Sequence, residues 1–158
     1  MKWEVVAGGM TGPPGRSPGP QTQAKEPMAH GKQIRVLVVD DEPTLCKALT
    51  MSLSRSGYDV VDAQTGEAAL GIVRTEHIDV LLVDLRIHDV RGDVIFEVAA
   101  GHQPHLRYQT LFMTGDITER AQKLIAACKC HYLKKPFDLQ DMHHAIAALA
   151  PNTQDAAG

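Results

Sequence analysis

Ile34-Arg35-Val36-Leu37-Val38-Val39 is an apolar run broken by one charge, and Asp40-Asp41-Glu42 follows it at once. Such a run suits a strand buried on both faces, where helices on either side remove the usual in–out alternation. Pro43 then opens a helix with apolar positions at Leu45, Ala48, Leu49 and Leu53, and Gly57 ends it. The same alternation continues outward. Tyr58 to Ala63 reads as a second strand, and Thr65 caps a helix over Ala68–Val73 with Glu67 in its first turn. Ile78-Asp79-Val80-Leu81-Leu82-Val83 is the other strongly buried strand, followed by a loop from Leu85 to Arg91 and a helix from Asp93 to Ala100. Tyr108–Met113 gives a fourth strand, Ile117–Ala127 a helix, and Cys130–Leu133 a short fifth strand. The last helix spans Leu139–Leu149, with Asp138 as its N-cap and Pro151 beyond its end.

Alternating strand and helix units imply an α/β fold. Parallel neighbours need a crossover, and right-handed crossovers place helices on both faces of the sheet. Every strand then ends on one edge, so whatever follows each strand collects at a single rim. The boundaries come from composition. Of 13 Gly and 9 Pro, six Gly and five Pro fall in residues 1–31, which predicts a flexible extension that cannot build a core. Residues 32–150 are expected to form one domain and 151–158 a disordered end, with no separate output module.

A net charge of −3 supplies no basic surplus for phosphate neutralisation, so direct nucleic-acid binding is not expected. No apolar run approaches the ~20 residues that span a bilayer, and no secretory signal is visible, so neither membrane insertion nor export is expected. Three cysteines, an odd number, argue against a disulfide framework and for a reducing, cytoplasmic setting.

The rim gathers Asp40, Asp41 and Glu42 after strand one, Asp84 after strand three, Thr114, Gly115 and Asp116 after strand four, and Lys134, Lys135 and Pro136 after strand five. Two carboxylates ~4 Å apart repel by ~4 kcal/mol at an effective dielectric of about 20. A cluster of them therefore either protonates or recruits a cation. Hard oxygen ligands with open positions suit Mg2+, whereas zinc is a poor fit because no His or Cys stands at these strand ends. A lysine opposite the acids offers a movable positive charge for a phosphoryl oxygen.

The set Asp40-Asp41, Asp84, Thr114 and Lys135-Pro136-Phe137 resembles the receiver domain of bacterial two-component response regulators, over about Gln33 to Leu149. The resemblance implies a flavodoxin-like, doubly wound five-stranded parallel sheet of order 2-1-3-4-5, and here a stand-alone receiver. Asp84 would be the phosphoacceptor and Asp41 the main Mg2+ ligand. Asp40 would support through water, and the Arg86 carbonyl would be a further ligand. Thr114 would be the switch hydroxyl, Lys135 the lysine that meets the phosphoryl group, and Tyr132 the aromatic that rotates with Thr114. Gly92 would close the loop after the acceptor, and the Lys135–Pro136 peptide would be a candidate for the cis form. Arg86 and Asp116, two residues after Asp84 and Thr114, would face each other across the water's path and gate dephosphorylation. Two positions depart from the family pattern: His88 stands where proline is usual, and Arg91 where a small or acidic residue is common.

The implied function is that of a phosphoacceptor switch rather than an enzyme with a separate substrate. A sensor histidine kinase or phosphotransfer protein would be the donor. A downstream protein would read the face of helix four, strand five and helix five. Two rivals stand beside it. A haloacid-dehalogenase-type phosphatase also pairs an Asp nucleophile with Mg2+, but wants Asp-x-Asp where this chain has Asp40-Asp41-Glu42. A degenerate receiver serving only as a binding module is the alternative, although every acidic, hydroxyl and lysine position is filled. Cys128-Lys129-Cys130-His131 reads as a helix end and short strand, since no second metal-ligating pair exists.

Overall fold

Side chains alternate across a strand, so two covered faces need apolar residues at both parities. In the computed structural model, which describes residues 32–115 and 117–151, β1 (Arg35–Val39), β2 (Asp59–Ala63), β3 (Val80–Asp84), β4 (Thr110–Thr114) and β5 (His131–Lys134) form one parallel sheet. Its order is β2-β1-β3-β4-β5. The helices between and after them are α1 (Pro43–Arg55), α2 (Gly66–Thr75), α3 (Gly92–His102), α4 (Glu119–Cys128) and α5 (Leu139–Leu149). The expected extension over residues 1–31, most of the expected C-terminal end, and Asp116 lie outside the described residues.

Val36, Val38, Val80, Leu82, Leu111 and Met113 pack with Leu49 and Leu53 of α1 and with Met142 and Ile146 of α5. The alternate residues Leu37, Val39, Leu81, Val83 and Phe112 meet Ala69 and Val73 of α2, Ile95 and Phe96 of α3, and Ile125 of α4. Each buried aliphatic or aromatic side chain contributes ~1.5–3 kcal/mol, and together they hold the strand ends in register.

Local chemistry sets the helix boundaries. Thr65 Oγ1 accepts the Ala68 N–H at 3.1 Å, as its capping role requires. Thr118 Oγ1 does the same for Ala121, which starts α4 at Glu119, two residues later than the apolar pattern suggests. Asp138 occupies the N-cap of α5 but makes no side-chain cap bond. Gly57 ends α1 at φ 96°, a left-handed conformation open to glycine. A 3-10 turn at Pro104–Arg107, unmarked by the periodicity, leads into β4.

The described cysteines include one local pair. Cys128 and Cys130 are paired, their Cα atoms 5.2 Å apart, while Cys46 is a buried thiol. The cause is local: Lys129 adopts a left-handed φ of 58° at the end of α4, and the reversal brings its two neighbours together. A link between residues so close in sequence is not a framework that spans the fold.

Candidate functional site

Val39 and Val83 are paired neighbours in the sheet, so the residues after them, Asp40 and the strand-ending Asp84, emerge side by side. Both fall on the parity that faces α1 and α5, opposite to Val39 and Val83. Asp40 is 0% exposed and Asp84 5%. Asp41, one residue on, is half-buried. One carboxylate oxygen from each of Asp40, Asp41 and Asp84 lies within 4.8 Å of the others.

Register also delivers the cation of the site. Thr114 pairs with Lys134, and the Lys135 N–H donates to the Thr114 carbonyl at 2.7 Å. The Lys135–Pro136 peptide is cis. From there the Lys135 ammonium donates to Asp84 Oδ2 at 2.6 Å and to Asp40 Oδ2 at 2.8 Å, with Glu42 Oε1 at 3.5 Å. Lys134 points into solvent.

The electrostatics follow from one ammonium shared by two buried carboxylates. Burial pushes the Asp84 carboxyl above its ordinary range and the Asp40 charge adds to the rise, while Lys135 and the Arg86 N–H oppose it. Burial alone would pull the Lys135 ammonium down, but its bonds to Asp40 and Asp84 outweigh that, and it ends above its usual value. A simple ion pair would move its two partners in opposite directions. Here both rise, because burial outweighs Lys135 at Asp84 while the two carboxylates together outweigh burial at Lys135.

The loop after β3 is held by close backbone approach. The Arg86 N–H donates to Asp84 Oδ1 at 2.8 Å and the Gly92 N–H to the Leu85 carbonyl at 3.0 Å. A Cβ on Gly92 would sit 2.7 Å from Leu85 Cα and nearer still to the Asp84 carbonyl oxygen, so only glycine fits there. The His88 N–H donates to Asp41 Oδ2 at 3.0 Å, a bond that proline, lacking the donor, could not make.

Thr114 is buried at the end of β4, on the opposite parity to Asp84. It lines a groove of about 240 Å³ together with Arg86, Thr118 and Arg120. Tyr132 stands apart from the acidic cluster, 47% exposed on β5 and paired with Phe112. The structure thus brings together Asp40, Asp41, Asp84 and Lys135, sets Thr114 and Arg86 at the adjoining groove, and leaves Tyr132 on the surface. Asp116 lies outside the described residues. Sequence reasoning put Glu42 at the rim without assigning it to Lys135, and it missed two participants: the His88 N–H on Asp41, and Asp89, whose carboxylate accepts from Gly66 and Glu67 at the start of α2.

The donor set fits a hard divalent cation. It offers three carboxylates, with no thiolate or imidazole among the clustered ligands.

Residues 36–147 match the family model described as the response regulator receiver domain. The chain is 29% identical over 125 residues to the probable transcriptional regulatory protein TcrX of Mycobacterium tuberculosis, a match covering 79% of this chain and 53% of that protein. This chain therefore spans about half the length of that relative. A CheY-like receiver domain protein from Methanospirillum hungatei JF-1 superposes with a TM-score of 0.69 at 23% identity, over 74% of this chain and 93% of that one. A response regulator protein from Burkholderia pseudomallei, solved with a phosphorylated aspartic acid, a calcium ion and citrate, gives a TM-score of 0.65 at 25% identity, over 79% of this chain and 71% of that one.

Proposed function

Because this chain belongs to the response regulator receiver domain family, we propose that Asp84 accepts a phosphoryl group from a phosphohistidine on a sensor histidine kinase or phosphotransfer protein. The observation that carries the reading is the Lys135 ammonium, bonded to both Asp84 and Asp40 beside a three-carboxylate cluster. That arrangement is unfavourable for stability alone and suits the handling of further negative charge.

A carboxylate oxygen of Asp84 forms a bond to phosphorus as the phosphorus–nitrogen bond of the donor breaks, and the departing imidazole takes up a proton from solvent. Lys135, already 2.6 Å from Asp84 Oδ2, follows the charge onto the phosphoryl oxygens. Asp40, Asp41, Asp84 and the Arg86 carbonyl would hold Mg2+, which when bound screens the negative charge gathered on the transferring group. The product carries about two negative charges and strong acceptor oxygens, to which Thr114 supplies a hydroxyl. Movement of Thr114 would be passed to Tyr132 and so to the surface of α4, β5 and α5, where a downstream protein reads the state. Arg86 and Asp116 would set the lifetime by standing in the path of attacking water. The chain is then a switch that undergoes phosphoryl transfer, and not an enzyme acting on a separate substrate.

The competing reading, a binding module indifferent to phosphorylation, is separated by one experiment. Amide spectra of the labelled protein are recorded before and after incubation with Mg2+ and acetyl phosphate. The proposal expects shifts at Thr114, Tyr132 and the α4–β5–α5 surface in the parent and none in Asp84→Asn. A modified Asp84 with unmoved amides on that surface would favour the module.

A further inference from the structure

The first N–H groups of a helix have no partner within it. In α2, Thr65 Oγ1 takes the Ala68 N–H, whereas the Gly66 and Glu67 N–H groups donate to the two carboxylate oxygens of Asp89, at 2.7 and 3.1 Å. Asp89 is no local cap. It comes from the loop that follows Asp84, and these two donors hold its carboxyl below the usual range. The seat is steric as well. A Cβ on Gly66 would lie 2.8 Å from Val90 Cγ2 and closer to Val90 Cβ, so the loop rests directly on the helix. On its other side the same loop reaches the acidic cluster, through the Arg86 N–H on Asp84 and the His88 N–H on Asp41. Ile87, 5% exposed, anchors the span between those two donors in the core.

We infer that Asp89 is a positioning residue for the cation site: by capping α2 from the acceptor loop, it fixes the adjacent His88 N–H that orients Asp41. The inference rests on the reading of Asp40, Asp41, Asp84 and the Arg86 carbonyl as cation ligands. Coupling of this kind is reciprocal. If the cap steadies the ligands, then cation binding steadies the first turn of α2.

Removal of a group that orients a metal ligand typically weakens binding by ~10–100-fold. Asp89→Ala is expected to raise the Mg2+ dissociation constant about tenfold. Asp89→Asn, which keeps one carbonyl acceptor, falls between it and the parent. His88→Pro keeps the cap but removes the link to Asp41. The test is calorimetric titration of the full chain with Mg2+, together with hydrogen exchange at the Gly66 and Glu67 amides with and without the ion. In the parent, Mg2+ slows exchange at both amides. In Asp89→Ala and His88→Pro it does not, and the Asn variant restores part of the response. Equal Mg2+ affinity and equal Mg2+-dependent protection in the parent and Asp89→Ala would overturn the inference and leave the cation reading standing. A parent that takes up no Mg2+ would overturn both.

Discussion

Replacing Lys135 by methionine keeps most of the side chain's apolar stem and removes its charge. In the folded protein that charge lies between Asp40 and Asp84 side chains that are 0% and 7% exposed, at 2.8 and 2.6 Å, with the lysine itself only 17% exposed. Removing one partner of a buried pair typically costs ~3–5 kcal/mol, because the remaining charge is left without compensation. Here two carboxylates are left together, so a loss of about 3 kcal/mol at neutral pH is a conservative expectation. Against a typical domain stability of ~5–15 kcal/mol this is a large fraction, and with a urea slope of ~1–3 kcal/mol per molar it moves the midpoint by ~1–3 M. The pH dependence has a definite sign. Burial already holds the Asp84 carboxyl above its ordinary range, and without Lys135 it rises further. A carboxyl with a folded pKa above its unfolded value binds more protons in the folded state, so stability recovers as pH falls through that raised value. Urea unfolding of the parent and Lys135→Met, followed by circular dichroism at about pH 5 and about pH 8, reads both effects. The variant's deficit should be smaller at the lower pH. Equal deficits at both pH values, or a deficit below ~1 kcal/mol, would refute the picture of one ammonium holding two buried carboxylates.

Further expectations concern the loop, the cation and the lifetime. Gly92→Ala should destabilise the fold by at least ~1–3 kcal/mol, since its Cβ has no room beside Leu85 and Asp84, and a urea midpoint equal to the parent's would contradict that. Mg2+ at one hundred times its dissociation constant should stabilise the parent by ~2.7 kcal/mol, and Asp41→Ala should lose that gain. Identical melting with Mg2+ and with a chelator would argue against the cation site. Once Asp84 is phosphorylated, Arg86→Ala and Asp116→Ala should shorten the acyl-phosphate half-life, about tenfold for each ~1.4 kcal/mol removed from the hydrolysis barrier. Equal half-lives in the parent and both variants would leave the gate without support.

Much of the arrangement is legible in the chain because the site stands at strand ends. The apolar runs before Asp40 and Asp84 identify two buried strands, and a parallel sheet brings their ends to one rim whatever the order of strands. The order itself does not follow from periodicity, which cannot distinguish β1 beside β3 from other parallel arrangements; the resemblance supplied it, and the pairing of Val39 with Val83 agrees. Lys135 is legible for the same reason as the acids, as the residue after a strand. What stays hidden is contact between loops. Asp89 caps α2 from a distant loop, and no local pattern marks an N-cap acceptor that arrives from elsewhere in the fold. The His88 N–H on Asp41 is likewise a backbone donor, invisible to any reading of side chains. His88 registers in the sequence only as a departure from proline, and the structure shows that the departure supplies a donor. The pairing of Cys128 with Cys130 depends on the left-handed turn at Lys129, which neither residue identity nor cysteine count reveals.

The most direct test of the central claim is the intact mass of the parent and of Asp84→Asn before and after incubation with Mg2+ and acetyl phosphate. Asn keeps the shape of the side chain and removes the nucleophilic charge, and it also relieves repulsion with Asp40, so the variant should remain folded with stability level or higher. The parent should gain the mass of one phosphoryl group, released by hydroxylamine as an acyl phosphate is, and the folded variant should gain none. Uptake by Asp84→Asn at the parent's rate, or no uptake by a parent that binds Mg2+, would contradict the assignment of Asp84 as the acceptor.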